Sequence, residues 1–311
     1  MDTQILEQVG HAYGVKATNF ELLGGFENNV FLSPEKNIVI KLLDTDKYNE
    51  ASLLREIEIV TLMEKHGIKT SSPQISVNNK TVEFIQGVEK SYFTMAFSKV
   101  DGTTLADYEN NPHLVKQWGK TLGKMHQISK QYGHQLRNND VEWNDDIKDG
   151  EFTDGVSQTI KDKWKIHLEQ VGSLSLHQDW YGVVHHDLHH ENILMSGEEL
   201  YVIDFGDVRK SWYIYDVAIP IYTALEQYRH KKSGNEGEFY QWFTEVFLSG
   251  YCEETSLSDE ARKWLPFFLE YRLLYSYLYF LRAFKGKEIN AKVERILEDM
   301  RTRIEKGPTI Y

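Results

Sequence analysis

Between residues 183 and 207 the chain reads VVHHDLHHENILMSGEELYVIDFGD, and no other stretch limits its fold so strongly. His185-x-Asp187 is followed five residues on by Asn192, and Ile203-Asp204-Phe205-Gly206 comes after a hairpin pattern with Ser196-Gly197 at its tip. The apolar runs 193–195 and 200–203, on either side of that Gly turn, predict two short strands. They would bring three oxygen-bearing side chains together at adjoining strand ends. Such a set suits phosphoryl transfer from ATP, which asks a protein for positioning and charge neutralisation rather than covalent chemistry. Asp187 suits the task of orienting and deprotonating an attacking hydroxyl. Asn192 and Asp204 suit magnesium, a hard cation that takes one or two carboxylates and keeps several waters.

The stretch resembles the HxDxxxxN and Asp-Phe-Gly pair of the protein-kinase-like superfamily. It is most similar to the aminoglycoside phosphotransferase and choline kinase branch, whose usual form is HGDLHPGN followed by IDF. This chain carries His186 for the usual Gly, His190 for the usual Pro and Glu191 for the second Gly. The resemblance implies a two-lobed α+β fold of protein-kinase type, with a small antiparallel-sheet N-lobe holding one main helix and a larger, mainly helical C-lobe. Residues 1–97 would clamp the nucleotide, residues 98–311 would carry catalysis and substrate binding, and 98–102 would be the hinge. ATP and Mg2+ are the implied cofactors. His189 falls where protein kinases place a phosphate-contacting Lys, and His185 is expected to pack beneath the loop. The competing reading of His185, His186, His189 and His190 is a zinc cluster. Structural zinc sites usually add Cys, and the single Cys252 is far away in sequence.

Upstream, Ile5, Val9 and Tyr13 predict an amphipathic helix over 3–13, and 20–23, 30–32 and 37–43 predict strands. The Gly24-Gly25-Phe26-Glu27-Asn28-Asn29 loop resembles the GG-x-x-N phosphate loop of the branch, so Gly24, Gly25 and Asn28 become candidate nucleotide contacts. Lys41, in Asn37-Ile38-Val39-Ile40-Lys41, matches the phosphate-binding Lys, which the family pairs with a helix Glu. The helix predicted over 49–65 offers Glu56 and Glu58. Leu53, Ile57 and Val60 mark its inner stripe, on which Glu56 lies while Glu58 is turned away, so Glu56 is the expected partner. Residues 81–85 and 92–97 predict further strands. Ser98-Lys99-Val100-Asp101-Gly102 then resembles the hinge, where the Ser98 carbonyl and the Val100 amide are expected to meet adenine.

Downstream, Trp118, Leu122, Met125 and Ile128 set a scaffold helix over 117–128, in which His126 reads as a packed side chain. A second helix is expected over 155–171. The acidic stretch 138–154 reads as a solvated loop or a substrate-side insertion, and Asp216 as a brace for the catalytic loop. Only twelve residues separate Asp204 from Asp216, and no Ala-Pro-Glu follows, which disfavours a protein substrate. Helices are expected over 216–229, 237–249, 259–284 and 290–305, the third bent by Pro266 near its start. Their many tyrosines would be core or an aromatic cage for an ammonium group.

The 311 residues can bury a full enzyme core. A net charge of −12 speaks against nucleic acid and is compatible with a cationic small molecule. One Cys, no signal pattern and no long apolar run imply a cytoplasmic protein without a membrane span. The resulting expectation is an ATP-dependent kinase for a hydroxyl of an amino sugar, amino alcohol or related metabolite. The alternatives are an atypical protein Ser/Thr kinase and a catalytically silent nucleotide-binding scaffold. Oligomeric state is not legible.

Overall fold

The computed structural model describes residues 3–25, 29–136, 141–145, 147, 155–231 and 234–307. In chain order the elements begin α1 (Thr3–Tyr13), β1 (Glu21–Gly24), β2 (Val30–Ser33), β3 (Ile38–Asp44), α2 (Glu50–Lys65), β4 (Pro73–Gln74), β5 (Glu83–Ile85), β6 (Tyr92–Ser98) and β7 (Thr103–Thr104). They continue with α3 (Pro112–Tyr132), α4 (Gln158–Gly172), β8 (Tyr181–Val184), β9 (Ile193–Ser196), β10 (Glu199–Val202) and β11 (Arg209–Trp212). The chain then runs through α5 (Tyr213–Lys231), α6 (Glu236–Glu254), α7 (Asp259–Arg262), α8 (Leu265–Ala283) and α9 (Ala291–Lys306). It divides into two compact units: Met1–Ala106 with Gln131–Asn139 and Glu191–Val208, and Asp107–Lys130 with Asp140–His190 and Arg209–Tyr311.

The first unit is built on an antiparallel sheet ordered β1-β2-β3-β6-β4, with β5 also paired to β6. Alternation along a strand assigns the two faces of β3. Ile38, Ile40 and Leu42 join Ile5, Val9 and Tyr13 of α1 in one apolar cluster. Val39, Lys41 and Leu43 therefore point to the opposite face, where Lys41 reaches α2. Asn49, read from sequence as the first residue of that helix, is its N-cap: its side chain accepts the Ser52 amide at 2.9 Å. A three-stranded sheet, β10-β9-β7, completes the unit. Its hairpin turns at Gly197, φ +62°, and β7 pairs Thr103 with Met195. A Cβ on Gly102 would lie 2.5 Å from the Met195 carbonyl oxygen, so only Gly admits this approach.

The second unit is mainly helical. Glycines set the crossing of α3 and α6: a Cβ on Gly119 would fall 2.0 Å from the Phe247 carbonyl oxygen, and one on Gly250 would fall 1.9 Å from that of Lys116. Glu226 of α5 accepts two bonds from Arg303 of α9, at 2.9 and 2.7 Å. The segment expected as one helix over 259–284 is two. The first ends at Arg262, and Pro266 stands in the opening turn of α8, where its missing N–H costs nothing. The small β8–β11 pair, Tyr181 opposite Trp212, leads into residues 185–192. The C-terminal aromatics are largely core: Trp212, Tyr213, Tyr215, Tyr222, Tyr271, Tyr275 and Tyr277 are buried. Among the described residues no helix is long and apolar enough to cross a membrane.

Candidate active site

Lys41 is the junction of the first unit's polar cluster. Its Nζ lies 2.9 Å from Glu56 Oε1 and 2.8 Å from Asp204 Oδ1, above the Phe97 ring with 5.4 Å to the centroid. Glu56 is buried in the wall of α2, whereas Glu58 is half-buried. Burial works against the ammonium, but the charges of Asp204 and Glu56 outweigh it and raise Lys41 above its ordinary value, so it stays protonated. Burial pushes the Glu56 carboxyl up, and Lys41 offsets part of that rise.

Asp204 follows β10 with φ +62°, an uncommon conformation for a residue with a side chain. Half of its side chain is exposed, at 53%, while the neighbouring Phe205 is buried. Asn192 is also buried, at the end of a 3-10 turn over His190–Asn192. The Ile203 amide donates to the Asn192 carbonyl at 3.0 Å, so the backbone couples the segments carrying the two magnesium candidates.

At the glycine loop, Gly24 and Gly25 have φ +125° and +85°. A Cβ on Gly25 would stand 2.7 Å from Asn29 Oδ1. Asn28 lies outside the described residues. Asn29, to which sequence reasoning gave no separate role, ties the end of the loop to β3: its side-chain amide donates to the Leu42 carbonyl at 2.7 Å, and the Leu42 amide returns a bond at 2.9 Å. At the hinge segment, the Ser98 carbonyl accepts the Ser71 hydroxyl, and the Ser98 amide donates to Ser72 at 2.8 Å. The Val100 amide donates to no acceptor among the described residues.

The second unit holds Asp187 just beyond β8. Asp216, fully buried in the first turn of α5, accepts the His185 amide at 3.1 Å and the His186 amide at 2.7 Å. Behind it, His126 of α3 places Nε2 2.9 Å from Asp216 and Nδ1 2.8 Å from the Tyr251 hydroxyl of α6. A neutral His126 that donates from Nε2 and accepts from Tyr251 satisfies both contacts. Burial also pushes His126 below its usual value, although Asp216 acts the other way. His126 is thus packed, as expected, and also supports the brace.

His186 has φ +69°, which costs about 1–2 kcal/mol for a residue with a Cβ. The Gly usual at this position in the family would avoid that cost. Its ring is buried edge-on to Tyr215, 5.2 Å between centroids. Asp187 Oδ1 accepts from Arg272 at 2.8 Å, and Oδ2 lies 3.3 Å from His189 Nε2. Burial raises the Asp187 carboxyl, but the His189 hydrogen bond and the Arg272 charge outweigh it and hold the group well below the usual carboxylate range. His190 accepts from Gln227 at 3.0 Å, and Gln227 in turn accepts the Tyr108 hydroxyl. The His185 ring accepts the Asp187 amide at 3.3 Å, so the four histidines serve the loop itself and its neighbours. Among the described residues no three His, Cys, Asp or Glu side chains gather as a metal ligand set.

Sequence reasoning gave Arg272 no role. The available signal was a charge within the apolar sequence of α8, since a buried Arg requires an anion.

Residues 21–240 match the phosphotransferase enzyme family known as APH. The chain belongs to that family. The amicoumacin kinase of Bacillus subtilis (strain 168) is 25% identical over 317 residues, covering 99% of this chain and 94% of the relative. The structure of amicoumacin kinase hAmiN in complex with AMP-PNP, Ca2+ and Ami superposes with a TM-score of 0.87 at 24% identity, covering 99% of this chain and 94% of the other. The microcompartment-associated aminopropanol kinase gives 0.76 at 17% identity, covering 97% and 95%. The fold is accordingly the kinase-like α+β fold expected from the motifs. The family places the chain among phosphotransferases that act on hydroxyl groups of small molecules.

Proposed function

We propose that the protein transfers the γ-phosphate of ATP to a hydroxyl of an amino alcohol, an amino sugar or a related aminated metabolite. The observation that carries this reading is the half-buried Lys41 bridging Glu56 and Asp204. A cation held between two carboxylates, one of them half-exposed, suits a site for nucleotide phosphates better than a structural ion pair. The names of the relatives, amicoumacin kinase and aminopropanol kinase, favour an aminated acceptor.

In this reading residues 1–97 clamp the nucleotide and 98–311 carry catalysis and acceptor binding, with 98–102 as the hinge. Gly24 and Gly25 let backbone approach the phosphates, and Asn28 is a further candidate contact to the nucleotide. Lys41, braced by Glu56, steadies them. The Val100 amide and the Ser98 carbonyl, which has a second lone pair beyond the Ser71 bond, face the base. Asp204 and Asn192 would hold magnesium; one carboxylate and one amide oxygen are hard donors that fit it. When bound, the ion supplies neutralisation of phosphate charge. Asp187 accepts the hydrogen bond of the acceptor hydroxyl, aims it and takes its proton as transfer proceeds. His189 lies beside it to meet phosphate oxygens.

The test is ADP release from magnesium-ATP against a panel of hydroxylated amines, amino sugars and amino acids, with Asp187→Ala alongside. Asp187→Ala should slow turnover by about 10² to 10⁴ and leave ATP affinity nearly intact. Turnover that survives in Asp187→Ala would remove the role given to Asp187. Silence across the panel, with magnesium-dependent ATP binding retained, would favour the nucleotide-binding scaffold.

A further inference from the structure

Helix α8 is apolar and largely buried, yet it carries Glu270 and Arg272. Glu270 lies 3.3 Å from His167. Arg272 turns its fork toward the catalytic loop: Nη2 donates to Asp187 Oδ1 at 2.8 Å, and Nη1 donates to the His186 carbonyl at 3.4 Å. Its Cζ stands 5.6 Å from the Tyr275 ring centroid. An arginine keeps its charge at any physiological pH, so a guanidinium with only 12% of its side chain exposed needs a permanent anion beside it. Asp187 is that anion.

The same loop has a second anchor. Asp216 takes the amides of His185 and His186, while Arg272 takes the carbonyl of His186. The peptide at φ +69° is therefore fixed at both ends. The contact of the Asp187 carboxylate to Arg272 is short and charge-assisted, and that to His189 is longer.

We infer that Arg272 is a positioning residue for phosphoryl transfer: by occupying Oδ1 and the preceding carbonyl it fixes the direction in which Asp187 offers Oδ2 to the acceptor hydroxyl. This rests on the reading of Asp187 as the group that aims the acceptor. A carboxylate gripped on one oxygen by a permanent cation orients a hydroxyl well and withdraws a proton poorly. Arg272 thus shifts the weight of catalysis from proton removal to alignment.

The full-length chain tests this in four forms: wild type, Arg272→Met, Asp187→Asn and the double variant. ADP release from magnesium-ATP is followed with 1-amino-2-propanol, with amicoumacin and with water alone as acceptor. Arg272→Met should lower kcat by about 10²-fold, the scale of a misplaced catalytic group, with KM for ATP unchanged. The double variant should be no slower than Asp187→Asn. If Arg272→Met slows Asp187→Asn by the same factor as wild type, Arg272 does not act through Asp187 and the inference fails. Full-speed Arg272→Met beside a slow Asp187→Asn would overturn the inference alone. Full-speed Asp187→Asn would overturn the reading of Asp187, and the inference with it. Arg272→Lys, which keeps the charge and loses the fork, supplies a readout that needs neither turnover nor the Met variant. Hydrogen exchange of the His186 and Asp187 amides should quicken by about tenfold against wild type while that of α5 holds. Unchanged exchange at the loop would overturn the inference.

Discussion

At residue 186 backbone strain and side-chain packing oppose each other, and their sizes predict the outcome of restoring glycine. His186→Gly would relieve the cost of φ +69° but delete a buried ring, for a net loss of about 2 kcal/mol. A urea midpoint at or above wild type would show that strain outweighs packing. The same residue contributes to a pH dependence. Burial pushes His126 and His186 below the usual imidazole value, so the native state leaves both neutral where the unfolded chain protonates them. Stability should therefore fall as pH drops below about 6.5, by up to about 1.4 kcal/mol per pH unit for each histidine. It should be restored on return to pH 7.5. Urea midpoints at pH 7.5 and 5.5 check this: equal midpoints would contradict it, and His186→Gly should show about half the slope. From sequence His186 was legible only as a departure from a usual Gly. Its φ could not be read, because a dihedral is a property of the folded turn. The pairing of Lys41 with a helix Glu was legible only through the resemblance, and the helix period then chose Glu56 over Glu58.

The elements divide in the same way. Helices α1 and α9, with strong periodicity, and α2, marked with α9 by Asn caps at positions 49 and 290, lie within a residue of where the pattern places them. Strands β4, β7, β8 and β11 carry no alternation long enough to be read, since two to four residues are held by their partners rather than by their own pattern. The crossing of α3 with α6 was likewise hidden, because glycines inside helices advertise no partner. Gly119→Ala should cost about 2–3 kcal/mol, as its methyl would strike the Phe247 backbone. Gly172→Ala, at the end of α4 with nothing within 4 Å, should be neutral or stabilising by up to about 1 kcal/mol. Thermal unfolding of the pair separates them, and similar melting temperatures would refute the close crossing.

For the whole molecule, ligand binding reports on the site without knowledge of the acceptor. Magnesium-AMP-PNP at about a hundred times its Kd should stabilise the chain by about 2.7 kcal/mol. Asp204→Ala should lose the magnesium-dependent part of that shift, and a retained shift would remove Asp204 from the metal site. The motif order from Lys41 through Asp187 and Asn192 to Asp204 made the family legible, with Lys41 inside β3 and the other three at turns beside β8, β9 and β10. Arg272 was not legible, since 85 residues separate it from Asp187 and only tertiary packing brings it there.

Anyone seeking to alter the acceptor range would first exchange the C-terminal helices between relatives. The pairing of Arg272 with Asp187 means that such a chimera must inherit α8 in register. An insertion of one residue would swing position 272 by about 100° around the helix axis. The resulting hybrid would still fold around its sheet and take up nucleotide, yet its Asp187 carboxylate would have lost its anchor. Screens of such hybrids by expression and ATP binding would pass it, and only turnover would expose the defect.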